Sequence, residues 1–128
     1  MRHQGTIPIL KIGEFLLASI QFELHDIAVD VFQEEVLLSI EKTSAKGLVI
    51  DISALDSVDS YVAGRLTSTG RMAKLMGTET VLVGMRPEIA ATLVRMGFPM
   101  RDVHTALSLE EGIELLNQLR SGKNGRPR

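Results

Sequence analysis

Short apolar runs alternate with helical patterns over most of the chain, and this alternation restricts the fold more than any other feature. The runs LVID (48–51), TVLVGM (80–85) and VHTAL (103–107) are continuously apolar or nearly so, as is typical of interior strands of a parallel sheet. Each is followed by a segment with helical periodicity. Strands joined through helices lie parallel through right-handed crossovers, so the pattern predicts an α/β fold.

The first part of the chain adds a hairpin and a helix to this pattern. The runs IPILKIG (7–13) and EFLLASI (14–20) are short and apolar, which predicts two strands joined by a tight turn at Gly13. Apolar residues then recur at helical spacing, namely Val29, Phe32, Val36 and Ile40. The complete prediction is the order β-β-α-β-α-β-α-β-α, with a mixed β-sheet covered by helices.

Several residues predict where the helices begin, end and face the core. Asp26 is the expected N-cap of the first helix, and Gly47 is expected to close it. Pro87 and Gly97 flank the third helix in the usual order of proline first and glycine last. Met76 is expected on the buried face of the second helix.

Length and composition indicate one domain and exclude several classes of protein. The chain has 128 residues and is 45% hydrophobic, which fits a single folded domain over residues 1–120. The last residues, 121–128, read SGKNGRPR and predict a flexible tail. The net charge of -2 argues against non-specific nucleic-acid binding. We expect neither a signal peptide nor a membrane span.

Catalytic and cofactor sites have little support in the sequence. There is no cysteine, and the histidines at 3, 25 and 104 have no metal-ligand spacing. Neither a Walker motif nor G-x-G-x-x-G is present, and a serine hydrolase would lack the G-x-S-x-G elbow. We therefore expect no cofactor, no metal and no enzymatic activity.

The chain is rich in methionine, which allows two interpretations. There are six methionines, and five of them lie in the second half of the chain. Flexible methionine side chains usually fill gaps in a core, and this is the favoured interpretation. The alternative is an adaptable contact surface. The five are Met72, Met76, Met85, Met96 and Met100.

A polar loop follows the LVID strand, at the edge of the sheet where α/β proteins usually place function. It holds three carboxylates and three serines: Asp51, Ser53, Asp56, Ser57, Asp59 and Ser60. Asp59 or Ser60 is needed to cap the helix that follows, and this structural role explains one of the six. The remaining residues suggest a functional loop, and the residues alone leave both interpretations open.

The segments LVIDISAL and VDSYVAGRLTSTGRMAK resemble the STAS domain family, the sulphate-transporter and anti-sigma-factor-antagonist family. The predicted order of elements matches that fold over about residues 6 to 120. The resemblance implies that Ser60, preceded by Asp59, is phosphorylated by a dedicated serine kinase. Ser57 is a second and less favoured acceptor, and Asp56 and Asp59 support the loop.

Within the family, the form DSYVAGRL and the expected lack of an N-terminal sensor region are similar to the stressosome scaffold members. This resemblance implies a cytoplasmic, non-catalytic antagonist in the general stress response. Such a protein sequesters a serine/threonine kinase, releases it when Ser60 is phosphorylated, and forms homo-oligomers and a large hetero-assembly with a sensor paralogue. Tyr61 is the expected aromatic anchor for the kinase. The alternatives are a soluble anti-anti-sigma factor that binds an anti-sigma kinase directly and a small-molecule-binding regulatory domain.

Overall fold

The computed structural model describes residues 7–121, in which strands and helices follow the predicted order. The elements are β1 (Ile9–Ile12), β2 (Phe15–Ser19), α1 (Asp26–Thr43), β3 (Gly47–Asp51), α2 (Ser60–Leu75), β4 (Glu79–Val83), α3 (Pro87–Met96), β5 (His104–Ala106) and α4 (Leu109–Ser121). The α/β fold class is confirmed. Of the predicted tail, Ser121 ends α4, and residues 122–128 lie outside the described range.

The five strands form one mixed sheet in the spatial order β1-β2-β3-β4-β5. β1 pairs antiparallel with β2, whereas the pairs β2–β3, β3–β4 and β4–β5 are parallel. Gly13 lies in the turn between β1 and β2 with φ +60, a left-handed conformation that glycine adopts without strain. Because the parallel strands are neighbours in chain order, right-handed crossovers place their connecting helices on one face of the sheet.

The two faces of the sheet carry separate cores. On one face, α1, α2 and α3 cover the larger core, which includes Phe32, Leu48, Leu66 and Ile89. On the other face, α4 covers a smaller core of Phe15, Val49, Val81, Val83 and Leu116. Three helices therefore cover the first face, and α1 and α2 pack against each other there.

The predicted buried face of α1 is confirmed, but both of its predicted ends are wrong. Val29, Phe32, Val36 and Ile40 are all buried. The N-cap position is held by His25, whose side chain makes no capping hydrogen bond. Asp26 lies inside the first turn, where its negative charge interacts favourably with the helix dipole.

The helix closes at Ser44, which adopts a left-handed conformation with φ 54, three residues before Gly47. Gly47 instead begins β3, where a Cβ atom would lie 2.7 Å from Leu116 of α4. Glycine is therefore needed there for close packing between the sheet and α4, and not for a helix end.

The ends of α3 are confirmed, whereas three methionines are exposed instead of filling the core. Pro87 is in the first turn of α3 and Gly97 caps it with φ 65. Met76 is 44% exposed because it lies just past the last helical residue of α2, where helical periodicity no longer sets its direction. Met72 and Met96 are also exposed, and Met85 and Met100 pack against the core. Two of the five methionines therefore fit the core-filling interpretation, and the other three are exposed, as a contact surface would require.

Candidate functional site

The polar loop leaves the carboxyl end of β3 and leads into α2, as the sequence predicted. Asp59 is the N-cap of α2: its backbone is extended, and its Oδ1 accepts a hydrogen bond of 2.8 Å from the backbone N–H of Val62. This arrangement satisfies one of the first amides of the helix, which have no partner within the helix itself. Of the two candidate capping residues, Asp59 therefore provides the cap.

Ser60 is the first helical residue and is exposed. Its hydroxyl makes no hydrogen bond within residues 7–121, because Asp59 already provides the cap. The amino end of a helix favours negative charge through its dipole and its unpaired N–H groups. Ser60 thus offers an accessible hydroxyl at a position that can accommodate an added anion.

Two residues from other elements clasp the middle of the loop. Arg86, the N-cap of α3, pairs with Asp56 through Nη1 and Oδ1 at 2.8 Å and donates from Nε to the carbonyl of Ser53 at 2.9 Å. From the opposite side, Glu23 accepts a hydrogen bond of 3.2 Å from the backbone N–H of Asp56. The Ser57 hydroxyl lies 3.5 Å from the Glu23 carboxylate, at the limit of a hydrogen bond.

The base of the loop is fixed by close packing between β3 and β4. Asp51 Oδ1 accepts a hydrogen bond of 2.9 Å from the backbone N–H of Ser53. Gly84 adopts φ +78, and a Cβ atom there would lie 2.7 Å from the Cβ of Ser53. Glycine is required on both grounds, so the loop starts from a rigid base.

Tyr61 is 42% exposed and is held by neighbours on α1 and α2. Its hydroxyl donates a hydrogen bond of 2.8 Å to Asp30 Oδ1, and the same carboxylate lies 2.8 Å from Arg65 Nε. The Arg65 guanidinium also lies 5.9 Å from the centre of the Tyr61 ring, in cation–π range. The hydrogen bond to Asp30 raises the pKa of the Tyr61 phenol above its usual 10.0.

The structure brings together Asp56, Ser57 and Asp59 in the loop and Ser60 at the start of α2, and it places Tyr61 beside them on the α1 side of α2. Sequence reasoning missed Glu23 and Arg86. Arg86 could have been found, because it directly follows the β4 run and precedes Pro87, which places it at the same edge of the sheet. Glu23 could not have been found, because its approach to the loop depends on β2 lying next to β3 in the sheet.

Other candidate sites in the sequence play structural roles where they are described. His25 occupies the N-cap position of α1 without a side-chain capping bond, and His104 Nε2 lies 3.1 Å from Glu79 Oε1. His3 lies outside the described residues. Across residues 7–121, no group of three or more potential ligands is placed to hold a metal ion. Over the same range, no helix has both the length and the apolar character needed to cross a membrane.

An apolar pocket lies between the sheet, α2 and α3. Its cavity is about 10 Å³, which is roughly the space of one water molecule. Its lining, which includes Ile52, Leu82 and Met100, is apolar and closely packed. This pocket gives no support to a small-molecule-binding domain.

Comparison with known proteins gives consistent results. The family model of the STAS domain matches residues 6–112. A structure of Moorella thermoacetica RsbS with a serine-to-glutamate substitution superposes with a TM-score of 0.78 at 42% identity, covering 89% of this chain and 97% of that one. A structure from the stressosome, described as a signal integration and transduction hub, gives 0.76 at 44% identity, covering 88% and 98%.

A curated relative is the RsbT co-antagonist protein RsbRA of Bacillus subtilis (strain 168), which is 33% identical over 81 residues. The match covers 63% of this chain but only 30% of RsbRA. The similarity to RsbRA is therefore confined to one region of a longer protein, whereas the similarity to RsbS extends over nearly the whole RsbS chain.

Proposed function

The chain belongs to the STAS domain family, and from this premise we propose that it is an RsbS-like scaffold of a cytoplasmic stressosome. In this role it is a non-catalytic antagonist that sequesters an RsbT-like serine/threonine kinase and releases it when Ser60 is phosphorylated, so regulating the general stress response. The observation that carries the proposal is the exposed Ser60 hydroxyl at the start of α2, free of any capping role.

Phosphorylation at Ser60 changes the charge of this surface more than its fold. A phosphate adds about -1.5 to -2 charges, and the amino end of α2 can accommodate it. Asp56 and Asp59 already make the loop acidic. Arg86, the cation that contacts the loop, is already paired with Asp56. Added charge therefore repels an acidic partner surface, and like-charge contact at an interface costs several kcal/mol.

Ser57 is a less suitable acceptor because of its neighbour. Its hydroxyl faces the Glu23 carboxylate at 3.5 Å, so a phosphate there would meet a negative charge directly. The hydrogen bond from the Asp56 backbone N–H to Glu23 would be disturbed at the same time. We therefore rank Ser57 below Ser60, as the resemblance to the family implied.

Tyr61 is proposed as an aromatic anchor for the kinase at the margin of this surface. Asp30 and Arg65 fix the ring in place before binding. A preorganised side chain loses less conformational entropy when a partner binds, and tyrosine is enriched among residues that dominate interface energies.

The proposed partners beyond the kinase are RsbR-like paralogues that carry the same domain. Support comes from the 33% identity with RsbRA, whose name describes it as an RsbT co-antagonist, and from the similarity to a structure of the stressosome. We propose that the chain forms homo-oligomers and enters a large hetero-assembly with such a paralogue.

Calorimetric titration against the cognate kinase tests the switch. We expect Ser60→Ala to bind like the unmodified protein, because this hydroxyl has no hydrogen-bond partner among residues 7–121 and the substitution adds no charge. Ser60→Asp should bind about tenfold more weakly or worse, which corresponds to about 1.4 kcal/mol. The phosphorylated protein should show a larger loss, since it adds more charge. Equal affinities for the unmodified and phosphorylated forms would refute the switch.

A further inference from the structure

An open groove lies between the edge strand β5 and the amino-terminal half of α4, and it is called here the β5–α4 groove. Its volume is about 480 Å³. Most of its lining is apolar, and Glu111 is the one charged residue among the described residues that line it. The lining residues are Met85, Thr105, Ala106, Leu107, Glu111 and Leu115.

Leu107 lies at the rim of the β5–α4 groove and is 81% exposed. Its backbone is held in place: its N–H donates to Glu111 Oε1 at 3.3 Å, and the Glu111 N–H donates to the Ser108 hydroxyl at 3.2 Å. These two bonds form a capping box at the start of α4. A single exposed leucine is ordinary on a protein surface, but one that borders a groove on a fixed backbone provides a preorganised contact.

The free edge of β5 adds backbone hydrogen-bonding groups beside the β5–α4 groove. The Ala106 carbonyl accepts a hydrogen bond of 3.4 Å from the Gly84 N–H, so the backbone groups of Ala106 face β4. Successive residues of a parallel strand direct these groups to opposite sides, so those of Thr105 point away from β4, toward the open edge. A donor, an acceptor and an apolar surface side by side are what a peptide segment of another protein uses for binding.

The β5–α4 groove adjoins the polar loop that leads to Ser60. Met85 lines the groove, and the next residue, Arg86, contacts the loop through Asp56 and the Ser53 carbonyl. The strands β3 and β5, which precede the loop and α4, are two strand positions apart, or roughly 10 Å. An interface of ordinary size covers about 800 Å² on each partner, which is roughly 28 Å across. A protein docked on the loop therefore reaches the groove as well.

The chemistry of the β5–α4 groove indicates what fills it. Ligand sites for small molecules usually enclose the ligand and bring several polar groups together around it, whereas this groove is open and has Glu111 alone as a charged group. Glu110 and Glu111, in the first turn of α4, form no ion pair within residues 7–121. A matching partner therefore offers an apolar side chain for the groove and a basic residue for its acidic rim.

We infer that the β5–α4 groove is a second contact for the kinase, filled by an apolar side chain of the kinase that has a basic residue beside it. The inference rests on the proposed function, because it assigns the groove to the kinase that is proposed to bind at Ser60. The apolar side chain covers Leu107 and Leu115, and the basic residue pairs with Glu111. The groove thus supplies affinity from a surface that is separate from the phosphorylated serine.

Calorimetric titration of the whole chain against the cognate kinase tests the apolar contact with matched variants. Leu107 is 81% exposed and Val94, on α3 at the other face of the sheet, is 79% exposed. Neither Leu107→Glu nor Val94→Glu should therefore disturb folding, which circular dichroism checks. We expect Leu107→Glu to weaken kinase binding about tenfold or more and Val94→Glu to leave it unchanged. Wild-type affinity in Leu107→Glu, or equal losses in both variants, would overturn the inference.

The basic neighbour is tested with Glu111→Gln, which removes the charge but keeps an acceptor for the capping box. The control is Glu114→Gln, which removes a charge from an exposed position on the same helix outside the groove lining. We expect Glu111→Gln to weaken kinase binding about threefold or more, with a smaller dependence of affinity on salt, and Glu114→Gln to have no effect. Equal affinities of the two variants would refute the pairing with Glu111.

Photo-crosslinking identifies the occupant of the β5–α4 groove directly. The chain has no cysteine, so one introduced cysteine carries a benzophenone label at a single position. In a mixture with the kinase and an RsbR-like paralogue, labelled Thr105→Cys should crosslink to the kinase, and labelled Val94→Cys should not. Crosslinking of Thr105→Cys to the paralogue or to a second copy of this chain, without the kinase, would assign the groove to that partner and overturn the inference.

Failure of this inference and failure of the proposed function give different results. A wild-type chain that binds no kinase would contradict the proposed function, and the inference would fall with it. A wild-type chain that binds the kinase and releases it when Ser60 is phosphorylated, while Leu107→Glu binds equally well, would contradict the inference alone.

Discussion

At the scale of single residues, the start of α2 assigns different tasks to two neighbours. Asp59 caps the helix and Ser60 does not, although both residue types are good caps. Asp59→Ala should therefore lower the free energy of unfolding by about 0.5–2 kcal/mol. Ser60→Ala is the matched control and should change it by less than about 0.5 kcal/mol. Chemical denaturation measures both. A larger loss for Ser60→Ala would mean that its hydroxyl has a structural role after all.

Tyr61 provides a direct optical test of its contact with Asp30. It is the only tyrosine and the chain has no tryptophan, so tyrosinate absorbance reports on this one residue. The hydrogen bond to Asp30 raises the pKa of the phenol above 10.0. Because the folded pKa is the higher one, the contact is intact below pH 10.0 and is lost as the pH rises through the folded value.

Asp30→Asn should shift the Tyr61 titration toward 10.0, because the substitution removes the carboxylate that favours the protonated phenol. Glu35→Gln, on the same helix, is a control for a general change of charge. An unchanged midpoint in Asp30→Asn, or an equal shift in both variants, would show that the contact is absent in solution.

Only part of the candidate site could be identified from the sequence. Ser60 and its acidic neighbours could be identified because they are contiguous and directly follow a strand. The Asp30–Tyr61 bond and the Glu23 clasp join positions about thirty residues apart. Such contacts depend on strand order and helix packing, which local patterns do not specify.

At the scale of elements, the packing of α2 against the entry to β5 depends on a helical glycine. A Cβ atom on Gly70 would lie 2.4 Å from Val103 Cγ1 and 2.9 Å from the backbone carbonyl oxygen of Asp102. Gly64, in the same helix, has no neighbour closer than Phe98 at 4.0 Å. Close packing therefore requires glycine at position 70 but not at position 64, although both glycines lower the intrinsic stability of the helix.

Gly70→Ala should destabilise the protein by about 1–3 kcal/mol, because the contact with the Asp102 backbone cannot yield without moving α2 or the segment that leads into β5. Gly64→Ala should stabilise it by up to about 1 kcal/mol through higher helix propensity. Thermal melts of the two variants provide the comparison. Similar shifts in the same direction would show that helix propensity outweighs packing at Gly70.

Elements were predicted more reliably than their ends. The period of apolar residues gave every strand and helix within residues 7–121, since burial on one face requires it. The ends of α1 were wrong because His25 and Ser44, which are weaker signals than Asp26 and Gly47, hold the cap positions. At the carboxyl end, tertiary packing accounts for the difference, since Gly47 is used to admit Leu116.

At the scale of the whole molecule, the arrangement of helices leaves one broad helical surface. Within residues 7–121, three helices cover one side of the sheet and α4 covers the other. The strand order was not predicted, yet it places α1 beside α2 on the first side. A single two-fold contact between copies closes at a dimer, so a larger assembly needs at least one further kind of contact.

Particle size therefore separates a stressosome scaffold from a soluble anti-anti-sigma factor. Light scattering should show the chain alone at a small multiple of its 14.0 kDa mass. Mixed with an RsbR-like paralogue, it should enter a particle many times larger, because the paralogue supplies the further contact. A chain that binds kinase but stays at monomer mass with the paralogue would support the soluble antagonist instead.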